Sequence, residues 1–502
     1  MIVGIDLGTT FSLVAYVNAT GTPVLCPSRQ DSQRFQTPSV VHVGSRGCLV
    51  GDLVEHLLDE DPGLPVCRFA KLSMGSAEAV YSDHEEFAYT AEAISALVLR
   101  KLKADAEAVF NEPITGALIS VPAHFNESQK EATINAGRLA DLPVLGLVDE
   151  PVAAATYSGL NISSGEKTVF VFDLGGGTLD ATILHATPSG LYVIATEGAA
   201  NIGGKNFDEI IMKLVWDQDK ALNHRDLSAD TESIQRCRRF ASSMKIELSK
   251  PEADVLSRPL LLGGKSLRVT ATRDIFEKEA EAWLEACELV CANTLRGASM
   301  GWGDIDEIVL TGGSSLVPCI QNMVHNISGL PASSIRLNQP HASIAYGAAI
   351  LAEQIHGHQK TIAPPLKQMV SSNELGIRTF DPDSQKVAFH TMIEKNIPLP
   401  ASHKQRVYTW KSDQRNVSIE ILQRKDSHSI PESLGKFQFG PIGLPEKNYP
   451  VEITIGYDEN GRVQLSAKDP RTGAIMEEII GNHKESDLII MHKRIQSMAV
   501  HG

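Results

Sequence analysis

Between Glu92 and Phe110, apolar side chains return at helical spacing as Ile94, Leu97, Val98, Leu102, Ala106 and Val109, which predicts one long amphipathic helix. Short apolar runs, such as Val3-Gly-Ile5 and Leu118-Ile-Ser-Val121, alternate with segments of that kind and predict strands. Strands mixed with helices in this way predict an α/β class with covered sheets. The pattern changes after the helix-like Ala345 to Ala352. Gly357 to Pro365 carries two consecutive prolines and reads as a linker. Beyond it come period-two runs: Val417/Ile419/Ile421, Val451/Ile453/Ile455 and Val463/Leu465/Ala467. The last two are joined by the hairpin signal Tyr457-Asp-Glu-Asn-Gly461. The expected organisation is therefore an α/β unit over 1–360, a linker over 361–370, a β-sandwich over 371–481 and a short polar helical tail over 482–502, its helix running from Lys484 to Met498.

Composition narrows the function classes. A net charge of −15 with no basic stripe argues against nucleic acid or an anionic membrane as a bulk partner. No run approaches the ~20 apolar residues of a membrane span, and the first residues form a strand rather than a secretory leader. The seven cysteines form no CxxC pair and no metal-ligand spacing, so reduced thiols and a cytoplasmic setting are expected.

The most informative pattern is a repeat. Ile5-Asp-Leu-Gly-Thr-Thr10 returns 167 positions later as Phe172-Asp-Leu-Gly-Gly-Gly-Thr178, which suggests two related half-domains with a nucleotide between them. A polyphosphate needs backbone N–H groups aimed at it, and glycine lets the backbone approach without a side chain in the way. Gly8, Gly175, Gly176 and Gly177 supply such turns, and Thr9, Thr10 and Thr178 add hydroxyl donors. Asp6, Asp173 and Asp180 would repel a bare phosphate, so a cation between them is expected, and Mg²⁺ suits carboxylates, waters and phosphate oxygens. A third glycine turn follows a strand at Ile308-Val-Leu-Thr-Gly-Gly-Ser-Ser315. Gly263-Gly-Lys-Ser266 ends like a P-loop, but Pro259 stands where the leading glycine belongs, so that motif is dismissed.

With these segments in view, the chain resembles the DnaK-type, seventy-kilodalton heat-shock chaperones. Three segments carry the resemblance: Ile5 to Ser12, Val171 to Asp180 and Ile308 to Pro318. It continues through Ile119-Ser-Val-Pro-Ala-His-Phe-Asn126, Asp149 to Ala155, Ile202 to Asp208, Lys245 to Ser249, Met392 to Pro398 and Leu465 to Asp469. Ala70-Lys-Leu-Ser-Met-Gly-Ser76 and the short C-terminal part are most similar to the bacterial HscC-like branch, without the long helical lid.

The resemblance implies an actin-like two-lobed nucleotide-binding domain followed by the sandwich, with ATP or ADP and Mg²⁺ as cofactors and room for K⁺ beside them. It implies that Asp6 and Asp173 organise the metal through waters, and that Lys71, Glu150, Asp180 and Thr178 serve catalysis. Nucleotide contacts fall on Gly8, Thr9, Thr10, Phe11, Gly175, Gly176, Gly177, Gly203, Gly204, Lys245, Ser249, Gly312, Gly313 and Ser314. Lys71 alone would read as a surface lysine, and Glu150 is expected in an exposed Asp-Glu-Pro turn.

The chain also departs from the family. Ser242 and His341 stand at acid positions and Leu316 at an arginine position of the adenosine site, and Phe11 replaces an asparagine. Gly146 occupies an arginine position that meets the J-domain co-chaperone, and Pro364-Pro-Leu-Lys-Gln-Met369 lacks the leucine-rich stretch that docks on the ATP-bound domain. In the peptide groove, Val417 stays as an apolar wall, while Phe380 and Trp410 crowd the central pocket. The implied function is an ATP-dependent chaperone that engages extended polypeptide and has a J-domain partner. The alternative is a nucleotide-binding regulator or scaffold with slow ATPase and no unfolded client.

Overall fold

The computed structural model describes the chain except residues 46, 160–164, 358–364, 382–385, 445, 459–460 and 481–484; the side chains of 380, 381, 386 and 485–487 also lie outside the described part. Two six-stranded sheets carry the first 360 residues. In the first, Ile2–Asp6 lies parallel to Gly116–Val121 and antiparallel to Phe11–Val17. In the second, Lys167–Leu174 lies parallel to Glu307–Thr311 and antiparallel to Thr178–Thr187. The sequence repeat is therefore a repeat of topology: each copy ends a central strand in Asp, turns through glycine and doubles back. Every residue of Gly116–Val121 is buried, as expected for a parallel strand covered on both faces.

The helices Glu150–Tyr157 and Ser343–His356 pack against each other between the two sheets. Their contact is backbone on backbone. A Cβ on Gly347 would lie 1.8 Å from the Ala153 carbonyl oxygen, and one on Gly4 would lie 2.0 Å from the Ala349 nitrogen. In a free helix Gly→Ala gains about 1 kcal/mol, but here the overlap must be relieved by moving a helix. We expect Gly347→Ala to destabilise the protein by about 1–3 kcal/mol, the usual cost of overpacking. Chemical denaturation would check this, and a stabilised variant would show that the two helices separate freely.

Gly263 and Gly264, at φ 47° and 73°, form the two-residue turn between the antiparallel strands Val255–Leu262 and Lys265–Thr272. Two successive positive φ angles explain that glycine pair as a hairpin turn.

The C-terminal strands form two four-stranded antiparallel sheets. Val417, Ile419 and Ile421 face Val451, Ile453, Ile455, Val463, Leu465 and Ala467 in one core. All seven cysteines are buried and unpaired. Among the described residues, no helix is long and apolar enough to cross a membrane.

The linker corrects an expectation. Little docking was expected of Leu366-Lys-Gln-Met369, yet Leu366–Gln368 forms an edge strand parallel to Gly190–Ala200. The Leu191 amide donates to the Pro365 carbonyl at 2.8 Å, and Leu366 packs against the cluster containing Leu191 and Val193. Gly190 opens the space, since a Cβ there would meet Lys367 at 2.3 Å. Main-chain hydrogen bonds, which side-chain area does not measure, hold this pairing.

The tail also does more than its polarity suggests. The helix Glu485–Gln496 buries Ile495 in the first lobe, and Val500–His501 adds in parallel to Gly47–Val50. Arg494 pairs with Asp83 and Glu85, each at 2.7 Å.

Candidate active site

The site is assembled where the glycine turns of the two sheets meet. A Cβ on Gly176 would strike Thr10 Oγ1 at 2.0 Å, and one on Gly177 would lie 3.0 Å from Thr9 Cγ2. The turn Gly203–Gly204 closes on the same loop: the Gly204 amide donates to the Gly175 carbonyl at 3.0 Å, and a Cβ on Gly203 would lie 2.4 Å from the Gly177 nitrogen. Gly312, at φ 77°, leaves no room for a side chain beside Leu174 and Asp173. Ser314 Oγ donates to the Gly175 carbonyl at 2.7 Å. Lys245 Nζ donates to the Gly204 carbonyl at 3.1 Å and pairs with Asp208 at 2.8 Å. Gly8 is held from its own side, its amide donating to Ser12 Oγ and its carbonyl accepting from Ser39 Oγ. The predicted glycine, Thr9, Thr10, Lys245 and Ser314 positions therefore converge.

Ser249 does not point its hydroxyl at the loops; it donates to the Lys245 carbonyl at 2.8 Å and ends the helix Thr231–Leu248. Phe11 is largely exposed and lines a cavity of about 520 Å³ with Phe35, Gln339 and His341 at the mouth between the sheets.

The charged groups lie deeper. Glu150 corrects a second expectation: it is buried, at the first position of the helix Glu150–Tyr157, where the helix dipole favours a carboxylate. Lys71 comes from the turn Ala70–Ser73, is also buried, and donates from Nζ to Glu150 Oε1 at 2.5 Å. Asp6, Asp149, Asp173, Asp180 and Thr178 are buried around this pair. Burial, then the Glu150 charge, pushes the Asp6 carboxyl up to about 7. Burial raises Asp149 to about 6, and it raises Glu150 against the pull of Lys71. Asp173 is held well above the carboxylate range by burial and by Glu150, Asp180 and Asp6, and its Oδ2 is buried without a protein partner.

So many buried carboxylates around one ammonium form a site that favours a cation. No group of three or more His, Cys, Asp or Glu side chains forms a ready ligand cage among the described residues. Mg²⁺ keeps several waters and takes one or two carboxylates beside substrate phosphates, so a pair of oxygen donors is enough for it. The oxygen donors of Asp6 and Asp173 fit the ion.

In the sandwich, Val417 is buried in the core. Trp410 is half-exposed at the surface, with Lys411 Nζ 4.7 Å from its ring centroid. The Phe380 side chain lies outside the described residues.

Sequence reasoning passed over His124 as an individual residue. Its Nδ1 lies 2.9 Å from Asp180 Oδ1. It stood in the sequence only as one letter of Ile119-Ser-Val-Pro-Ala-His-Phe-Asn126, and nothing in that segment names its partner 56 positions away.

A two-lobed fold with paired glycine turns and buried acid groups is the arrangement expected of a nucleotide-binding protein. The Hsp70 protein family model matches residues 64–501, and the chain belongs to the Hsp70 family. Its architecture is that family's actin-like nucleotide-binding domain with a β-sandwich, and the family comprises chaperone-type ATPases that use ATP or ADP with Mg²⁺ and bind polypeptide clients.

Proposed function

We propose that this chain is an ATP-dependent chaperone of the DnaK type, on the HscC-like branch, that hydrolyses ATP and engages extended polypeptide through its sandwich with a J-domain protein as co-chaperone. The observation that carries the reading is the buried Lys71–Glu150 pair set beside Asp6, Asp173 and Asp180, where the glycine turns converge.

In this reading, the amides of Gly8 to Thr10 and of Gly175 to Gly177 hold the phosphates, with the hydroxyls of Thr10 and Thr178 toward the γ-phosphoryl. Lys71 places its ammonium against the charge that builds on the transferring group. Glu150 and Asp180 orient the attacking water and accept hydrogen bonds from it. Asp6 and Asp173 would hold hydrated Mg²⁺, which neutralises phosphate charge when bound. The Asp-Glu-Pro turn brings Glu150 in with a fixed direction, because the helix begins there.

Steady-state ATP hydrolysis by the purified chain, alone and with unfolded peptides, tests the proposal. Turnover above a Lys71→Ala control supports it. Nucleotide binding without turnover and without peptide binding would favour the regulator reading.

The base should be recognised less well than the phosphates. Leu316 offers no cation to stack on adenine and Ser242 no carboxylate to accept from it. The loss is about 0.5–2 kcal/mol for the stacking and about 0.5–1.5 for the hydrogen bond. Calorimetry is expected to show ADP preferred over GDP only modestly, and low-nanomolar, strongly adenine-selective binding would contradict this.

A further inference from the structure

His124 follows the strand Gly116–Val121 of the first sheet, and Asp180 lies on the strand Thr178–Thr187 of the second. Two bonds join them across the cleft. The His124 backbone amide donates to Asp180 Oδ1 at 3.2 Å, and His124 Nδ1 lies 2.9 Å from the same oxygen. Asp180 is 1% exposed, and its Oδ1 accepts from the His124 backbone amide. When the ring also donates to that oxygen, Nδ1 carries the proton and Nε2 is left as a buried nitrogen with no protein partner.

The space for this ring comes from a third segment. Gly198 is the residue directly opposite Asp180 on the neighbouring strand Gly190–Ala200. A Cβ on Gly198 would lie 2.4 Å from His124 Nδ1 and 2.6 Å from its Cβ. Any other residue there would push the imidazole off the carboxylate. Phe125 meets the ring edge-on at 5.8 Å between centroids and limits its rotation.

We propose that His124 is the positioning residue of Asp180: through Nδ1–H and its own amide it fixes the rotation of that carboxylate, so that water meets it in one orientation. Both bonds use Oδ1, and neither uses Oδ2. His124 does not touch the transferring group. It acts through Asp180, and this rests on the ATPase reading above. The contribution falls on the chemical step rather than on nucleotide affinity, because neither bond involves a glycine turn that holds phosphate.

The test uses the full chain. An asparagine amide nitrogen can occupy the place of Nδ1, a glutamine amide reaches the place of Nε2, and phenylalanine keeps the ring shape without a donor. His124→Phe and His124→Gln are expected to slow single-turnover hydrolysis by about ten- to a hundredfold, the scale for losing a group that orients a reacting residue. Their affinity for ATP should stay within about threefold of wild type. His124→Asn is expected to stay within about threefold in both. Gly198→Ala, which keeps the histidine but displaces its ring from Asp180, should reproduce the slow phenotype and serves if His124→Phe fails to fold.

A second readout needs no turnover. In ¹⁵N spectra of the histidine rings, neutral His124 should show the Nδ1–H tautomer, and Asp180→Asn should disturb that signal. An Nε2–H tautomer in the wild type, equal rates for wild type and His124→Phe, or a His124→Asn variant as slow as His124→Phe would each overturn the proposal. If the wild type shows the Nδ1–H tautomer but hydrolyses no ATP, the His124–Asp180 contact stands and the ATPase reading fails.

Discussion

Lys71→Ala is expected to slow single-turnover ATP hydrolysis by ~10²–10³ while changing nucleotide affinity little; this is the scale for removing one preorganised charge-stabilising group. Three observations set the direction. The ammonium is 6% exposed, so its charge acts in a poorly screened place. It is bonded to Glu150, whose carboxyl is already raised by burial, so the substitution removes the group that does most to hold that carboxylate in its charged form. In the proposed reading phosphate binding rests on other groups, the glycine turns, which the substitution leaves alone. Quench-flow with pre-bound ATP separates the chemical step from binding. Rates within threefold of wild type would remove Lys71 from the mechanism, and a parallel loss of affinity would recast it as a phosphate-binding residue.

The parts of this molecule legible in the sequence are those where one local constraint writes a residue type. Close backbone approach to a phosphate favours glycine, so the repeat around Gly8 and Gly175 to Gly177 marked a candidate site, and the doubled topology it suggested is the one the sheets have. The sandwich core likewise follows from alternation, since a two-faced strand must place every second side chain inward. The helix Ala91–Phe110 was read to within a residue at its start, although Val109 remains partly exposed.

What stayed hidden depends on partners distant in the chain. Glu150 reads as an exposed turn because Asp-Glu-Pro begins with two acids, and the arrival of Lys71 from 79 positions away does most to make its burial tolerable. The linker was judged by side-chain area, but its docking is a backbone ladder that needs a bare glycine at 190. The tail helix hides one inward residue, Ile495, among charges, and its two-residue strand is too short to leave a periodic trace. His124 requires Asp180 and Gly198 together, three segments that no window of the sequence contains.

The same burial that serves the site should be measurable as a cost to the empty protein. Asp6 ionises near 4 when unfolded, and in the fold burial and the Glu150 charge push it up to about 7. Between those limits the folded protein holds a proton that the unfolded chain has lost. Its contribution to stability is therefore fully present below about pH 4, declines as pH rises, and is gone above about pH 7. At about 1.4 kcal/mol per tenfold change in proton affinity, the ionised side chain costs the ligand-free fold up to about 4 kcal/mol at pH 8. Asparagine has nearly the same shape and cannot ionise. Asp6→Asn should thus match wild type in urea denaturation at pH 4 and exceed it at pH 8, by an amount approaching that figure because Asp173 is relieved as well. Mg²⁺ with ADP should reverse the order at pH 8, since the cation favours the charged carboxylate and gains nothing comparable from an amide. A stability difference that is the same at both pH values would mean that Asp6 is ionised throughout and that its charge is balanced inside the protein.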